Sequence, residues 1–178
     1  MRILVILVSS VIFWSVPVFS KDAAVAAATR ACGPIGDHLK VNSENAKDLL
    51  TQPEPGKALV YVIEDDGVAN NIIGGYMTWR VGLDGSWIAA LNRHSPYTTF
   101  SVTPGEHHLC VNWQSSLEYL AKATNLAHLN VEADKTYYFR IRKWESQTEV
   151  FVDLTTVDSD QAKLLLALQP AIAKNNKK

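Results

Sequence analysis

An antiparallel β-sandwich of about seven or eight strands, with an N-terminal arm and a C-terminal α-helix, is the fold class this sequence predicts. Three observations carry it. Short runs rich in β-branched and aromatic residues recur from Ala58 to Val157, turn residues punctuate them at close spacing, and one amphipathic helical pattern follows the last run. A closed barrel is the competing all-β arrangement.

The chain of 178 residues opens with Met1 and Arg2, followed by apolar runs from Ile3 to Val8 and from Val11 through Phe19. A positive start, an apolar stretch shorter than a comfortable membrane span, and small residues ahead of a cleavage point after Ser20 describe a secretory signal peptide over residues 1–20. The alternative is an uncleaved N-terminal anchor. A lipoprotein leader does not fit, because Cys32 lies beyond the apolar run and follows Thr29, Arg30 and Ala31. The expectation is an exported protein, periplasmic or secreted, with no integral membrane span after cleavage.

Cleavage leaves about 158 residues, enough for a single domain with its own core. The full chain carries 17 basic and 18 acidic side chains, and loss of Arg2 takes the net charge to about −2. Such a balance gives no overall grip on nucleic acid or anionic lipid. Two cysteines remain, Cys32 and Cys110, and an even count in an exported chain predicts a disulfide between them.

Residues 21–57 read as an arm. The alanine-rich KDAAVAAATRA is helical in propensity but too short to be stable undocked, and prolines and glycines bracket a small helical candidate at Ala46 to Leu50. Residues 58–157 carry the strands. ALVYVIE from Ala58 is apolar on both alternating sets, as in a strand buried on both faces, and Glu64, Asp65, Asp66 and Gly67 end it. TWRVGL places Trp79, Val81 and Leu83 on one face. Asp84-Gly85 is the type I′ dipeptide of a two-residue hairpin, and SWIAAL returns.

Tyr97 to Val102 alternates again, and Thr103-Pro104-Gly105-Glu106 has proline and glycine where a type II turn needs them. Ser115 with Glu118 forms a capping box for a short helix over 116–123. Strands resume at Ala127 to Glu132, Thr136 to Trp144 and Glu149 to Val157. Residues 158–178 make a helix and tail: Asp158 and Gln161 form a second capping box, Ala162, Leu165 and Leu168 share a face, and Pro170 ends the helix.

The blocks GKALVYVIEDDG, RVGLDGSWIAAL, YTTFSVTPGEHHLCVNW, KTYYFRIR and VDSDQAKLLL, in that order over roughly residues 53–169, resemble the bacterial family catalogued as domain of unknown function 2846. The resemblance implies an exported or lipid-anchored envelope protein. It brings no established activity and no catalytic residues, and the lack of a lipid-attachment cysteine argues against lipid anchoring here.

The stretch GEHHLCVNW at 105–113 holds two histidines and a cysteine in four positions. Alternation splits it into His107, Leu109, Val111 and Trp113 on one face and Glu106, His108, Cys110 and Asn112 on the other. His107 and His108 therefore point apart, and a metal ion would need ligands from elsewhere, such as His94, His128 or an acidic group. No zinc-ligand spacing, serine-hydrolase motif or phosphate loop is present. No catalytic group, cofactor or metal is expected.

Trp79, Trp87, Trp113, Tyr137 and Phe139 fit core faces. Tyr97, Tyr138, Arg140, Arg142 and Trp144 fall on outer faces, where they form either an interface for a partner or cover beneath the arm or the terminal helix. The leading functional reading is a non-enzymatic binding or structural module of the cell envelope, with an unknown protein or envelope ligand as partner. Its rivals are a metal-dependent hydrolase using His94, His107 or His108, and an assembly or chaperone-like subunit that pairs an edge strand with a partner.

Overall fold

The computed structural model describes residues 31–34, 36–41, 52–65, 77–115, 123–146 and 149–168. The expected leader, the helical candidates at 46–50 and 116–123 apart from Ala123, and Pro170 lie outside the described residues. Eight strands and a helix follow in chain order: β1 (Ala58–Glu64), β2 (Trp79–Leu83), β3 (Ser86–Leu91), β4 (Tyr97–Val102), β5 (Gly105–Trp113), β6 (Thr124–Val131), β7 (Thr136–Glu145), β8 (Val150–Thr156) and α1 (Ser159–Leu168).

The strands form two four-stranded sheets, β4-β1-β7-β8 and β3-β2-β5-β6, packed as a sandwich. Among the described ladders all are antiparallel except one: β1 runs antiparallel to β4 and parallel to β7. Inward residues alternate as the sequence predicts. Val60, Val62, Phe139, Ile141, Val152 and Leu154 of the first sheet meet Trp79, Val81, Leu109, Val111, Leu129 and Val131 of the second.

β1 is buried along its whole length because its outer face is covered too. Leu59, Tyr61, Ile63 and Tyr97 pack beneath Ala162, Leu165 and Leu166 of α1. The helix starts where Asp158 Oδ1 accepts from the backbone N–H groups of Asp160 and Gln161, at 2.9 and 2.8 Å. Asp158→Ala is expected to cost about 1 kcal/mol, seen as a lower melting temperature and faster amide exchange confined to the first turn of α1. Within α1 one inward residue differs from expectation. Leu168 is 71% exposed and Leu166 is buried instead, since 162, 165 and 166 keep the i, i+3, i+4 stripe while 168 turns away from it.

Asp84 and Gly85 have φ of 50° and 90°, the pair of left-handed conformations a type I′ turn requires. Behind that hairpin the register shifts between Val81 and Gly82, so that Val81 faces Ala89 but Gly82 faces Trp87. The extra residue is Ile88. It turns Trp87 from the core face, where alternation alone puts it, to the outer face. The Thr103 to Glu106 link carries the chain from the first sheet to the second, with Gly105 at φ 132°.

Candidate functional site

Three groups of side chains stand outside the core, and the first holds the arm. Residues 31–34 and 36–41 lie over the outer face of the second sheet. Cys32 is bonded to Cys110 with a Cα–Cα distance of 5.2 Å, and no described cysteine is free. Gly85 N–H donates to the Ala31 carbonyl at 3.4 Å, and the Trp87 indole N–H donates to the Pro34 carbonyl at 2.8 Å. The Gln114 amide clasps Leu39 from both sides: its Oε1 accepts from Leu39 N–H at 2.7 Å and its Nε2 donates to Leu39 O at 3.0 Å. Close approach depends on two missing side chains. A Cβ on Gly33 would lie 2.3 Å from the Trp87 ring, and one on Gly82 would lie 3.0 Å from Ala31 O and 3.1 Å from Trp87.

Under this arm Arg80 is 7% exposed. Its Nε donates to Asn112 Oδ1 at 3.0 Å, its Nη2 donates to the same oxygen, and its Nη1 donates to the Asp37 carbonyl. Its guanidinium stacks over Trp87 at 4.3 Å. Burial disfavours the charged form while Asp37 works the other way, and the net direction is down. Asn112 is fixed in turn by donating to Thr124 Oγ1 at 2.8 Å. Arginine's forked, weakly hydrated head suits such a place.

The second group surrounds the hairpin turn. His107 Nδ1 lies 2.6 Å from Asp84 Oδ2 and its Nε2 lies 2.7 Å from the Thr103 carbonyl. Both partners are acceptors, so the ring satisfies both only as the imidazolium. Burial alone would push His107 down, but the hydrogen bonds to Asp84 and Thr103 and the Asp84 charge outweigh it and the net shift is upward. Burial likewise raises Asp84, and the bonds from His107 and from His108 N–H, with the charges of both rings, bring it down overall. With both nitrogens engaged, His107 offers no lone pair to a metal or a nucleophile.

The pH dependence follows. A raised histidine contributes fully below its ordinary value of about 6.5 and fades as pH rises through the raised value; a lowered carboxylate contributes until pH falls through its lowered value. The clip is strongest between about pH 4 and 6.5. Asp84 is 44% exposed on its side chain, so the expected loss of stability from pH 6 to 8 is about 1 kcal/mol or less. Denaturant unfolding at the two pH values checks it, and His107→Gln is expected to remove this component.

His94 sits in the turn after β3, with its backbone N–H bonded to Asn92 Oδ1 at 2.9 Å. β3 ends beside Trp79, which pairs with Trp113 at the far end of β5. His94 is thus separated from His107 and His108 by about 17 Å of strand. The structure does not bring the three together. It instead sets His108 against His128, which face one another across β5 and β6 with ring centres 5.4 Å apart.

The third group is the outward set on the first sheet, and it divides. Tyr97 is 4% exposed beneath α1. Tyr138 is half-buried 5.1 Å from Tyr61, and burial, then Tyr61, push its phenol up. Arg140 and Arg142 both approach the Asp65 carboxylate, at 3.7 and 3.6 Å. Farther along β7, Arg142 lies 5.0 Å over the Trp144 ring, and Trp144 donates its indole N–H to Asp153 Oδ2 at 2.5 Å. Trp144 and its cross-strand partner Phe151 are each 50% exposed. Arg142, Trp144, Phe151 and Asp153 therefore form one surface. Sequence alone does not mark Phe151 and Asp153, because only the β7–β8 register places them there.

No family model matches the chain, and a search of curated proteins found no match. Among the described residues no helix is long and apolar enough to cross a membrane.

Proposed function

We propose that this chain is an exported, non-enzymatic binding or structural module of the bacterial cell envelope. The observation that carries the reading is the Cys32–Cys110 bridge clamping the arm to the sandwich. Such bridges persist in oxidising compartments, in keeping with the apolar leader at residues 1–20. The family resemblance over residues 53–169 supports the same location. On this reading the binding surface is the Arg142, Trp144 and Phe151 patch, where two half-exposed aromatic rings and a guanidinium offer the chemistry of an interface centre.

Expression of the full chain in a bacterial host, followed by fractionation and mass measurement, tests the location. The expected product lacks residues 1–20, lies in the periplasmic or culture fraction and has no titratable thiol. An intact, reduced chain in the cytoplasm would overturn export. Immobilised mature protein is expected to retain a specific envelope component that Trp144→Ala loses; equal retention by the variant removes the patch from the reading.

A further inference from the structure

We propose that His108 and His128 form a two-histidine chelate for a divalent transition-metal ion of the copper or zinc kind on the outer face of the second sheet. The inference goes beyond the envelope reading and does not rest on it. The two residues are direct partners in the β5–β6 register. The His108 N–H donates to Asp84 Oδ1, and the His108 carbonyl accepts from Asp84 N–H. Both backbone groups of His108 thus point towards the hairpin turn, away from β6, which makes the His108–His128 pair a non-hydrogen-bonded one. In such pairs the strands approach most closely and the side chains meet.

The ring spacing fits the chemistry. Two imidazoles that share one tetrahedral ion at the usual N–metal distance of about 2.0–2.1 Å have ring centres about 5.2 Å apart. The observed separation is 5.4 Å with the planes at 67°. Both residues are exposed, so an ion reaches them without opening the fold. Among the described residues neither ring has a hydrogen-bond partner, in contrast to His107. Glu106, on the same face two residues before His108, adds negative charge nearby. No group of three protein ligands occurs among the described residues, so water completes the coordination. Imidazole ligands suit copper, nickel and zinc, and copper binds most tightly in that series.

The experiment uses the full folded chain and Cu2+ alone as probe, followed by calorimetry and electron paramagnetic resonance. The expected result is one Cu2+ per chain with a two-nitrogen imidazole signature. His108→Asn and His128→Asn are each expected to weaken binding at least tenfold, while His94→Asn leaves it unchanged. Thermal melts of the metal-free variants verify folding. Undiminished uptake by the His108→Asn/His128→Asn double variant, or uptake by the unsubstituted protein no greater than that of this variant, overturns the proposal.

Discussion

Replacing Cys32 and Cys110 together by alanine is expected to lower stability by about 4–5 kcal/mol. The bridge closes a sequence separation of 78 residues, and in the chain-entropy picture a loop of that size is worth about that much. For a domain of this size the melting temperature is expected to fall by roughly 10–15 °C. Thermal unfolding of the oxidised, reduced and doubly substituted proteins checks it. A loss under 1 kcal/mol would show that the carbonyl and indole contacts hold the arm without help. Thiol titration of the native protein is expected to read zero.

Asn112→Ala is the second large effect, at about 2–3 kcal/mol. The substitution strips Arg80 of the oxygen that accepts from both its Nε and its Nη2, leaving a buried guanidinium underbonded beneath the arm. Asn112→Asp separates charge from geometry. It supplies a formal counter-charge for Arg80, yet it loses the amide donor that reaches Thr124 Oγ1 and aims an oxygen there and at the Ala123 carbonyl. Urea unfolding of both variants is the measurement. If the aspartate variant exceeds the parent in stability, Coulomb attraction dominates the site and the hydrogen-bond account is wrong.

What the sequence revealed was periodic or local. The strand runs, the Asp84-Gly85 turn, the Asp158 cap and the opposed faces of His107 and His108 all depend on neighbours within a few positions. What it concealed depends on register. Alternation alone misplaces Trp87, because the bulge at Ile88 leaves no signature in a run of small and apolar residues. Alternation groups Tyr97 with Trp144, since both point outward, while only the packing of α1 decides that one is covered and the other half-exposed. Leu168 lies one step outside the i, i+3, i+4 stripe that Ala162, Leu165 and Leu166 keep. The Arg80–Asn112 contact joins residues whose burial comes from an arm that alternation cannot place.

The parallel contact between β1 and β7 makes the first sheet depend on distant segments of the chain. Leu59 pairs with Thr136, so the strand that is buried along its whole length takes its second neighbour from a segment far along the chain. β1 and β4 are joined through β2 and β3 of the other sheet, and completing the first sheet requires a further contact between segments far apart in sequence. Folding governed by such distant pairings is slow. A chain that stops short of β7 is therefore expected to leave β1 with β4 as its single neighbour and half of the first sheet missing.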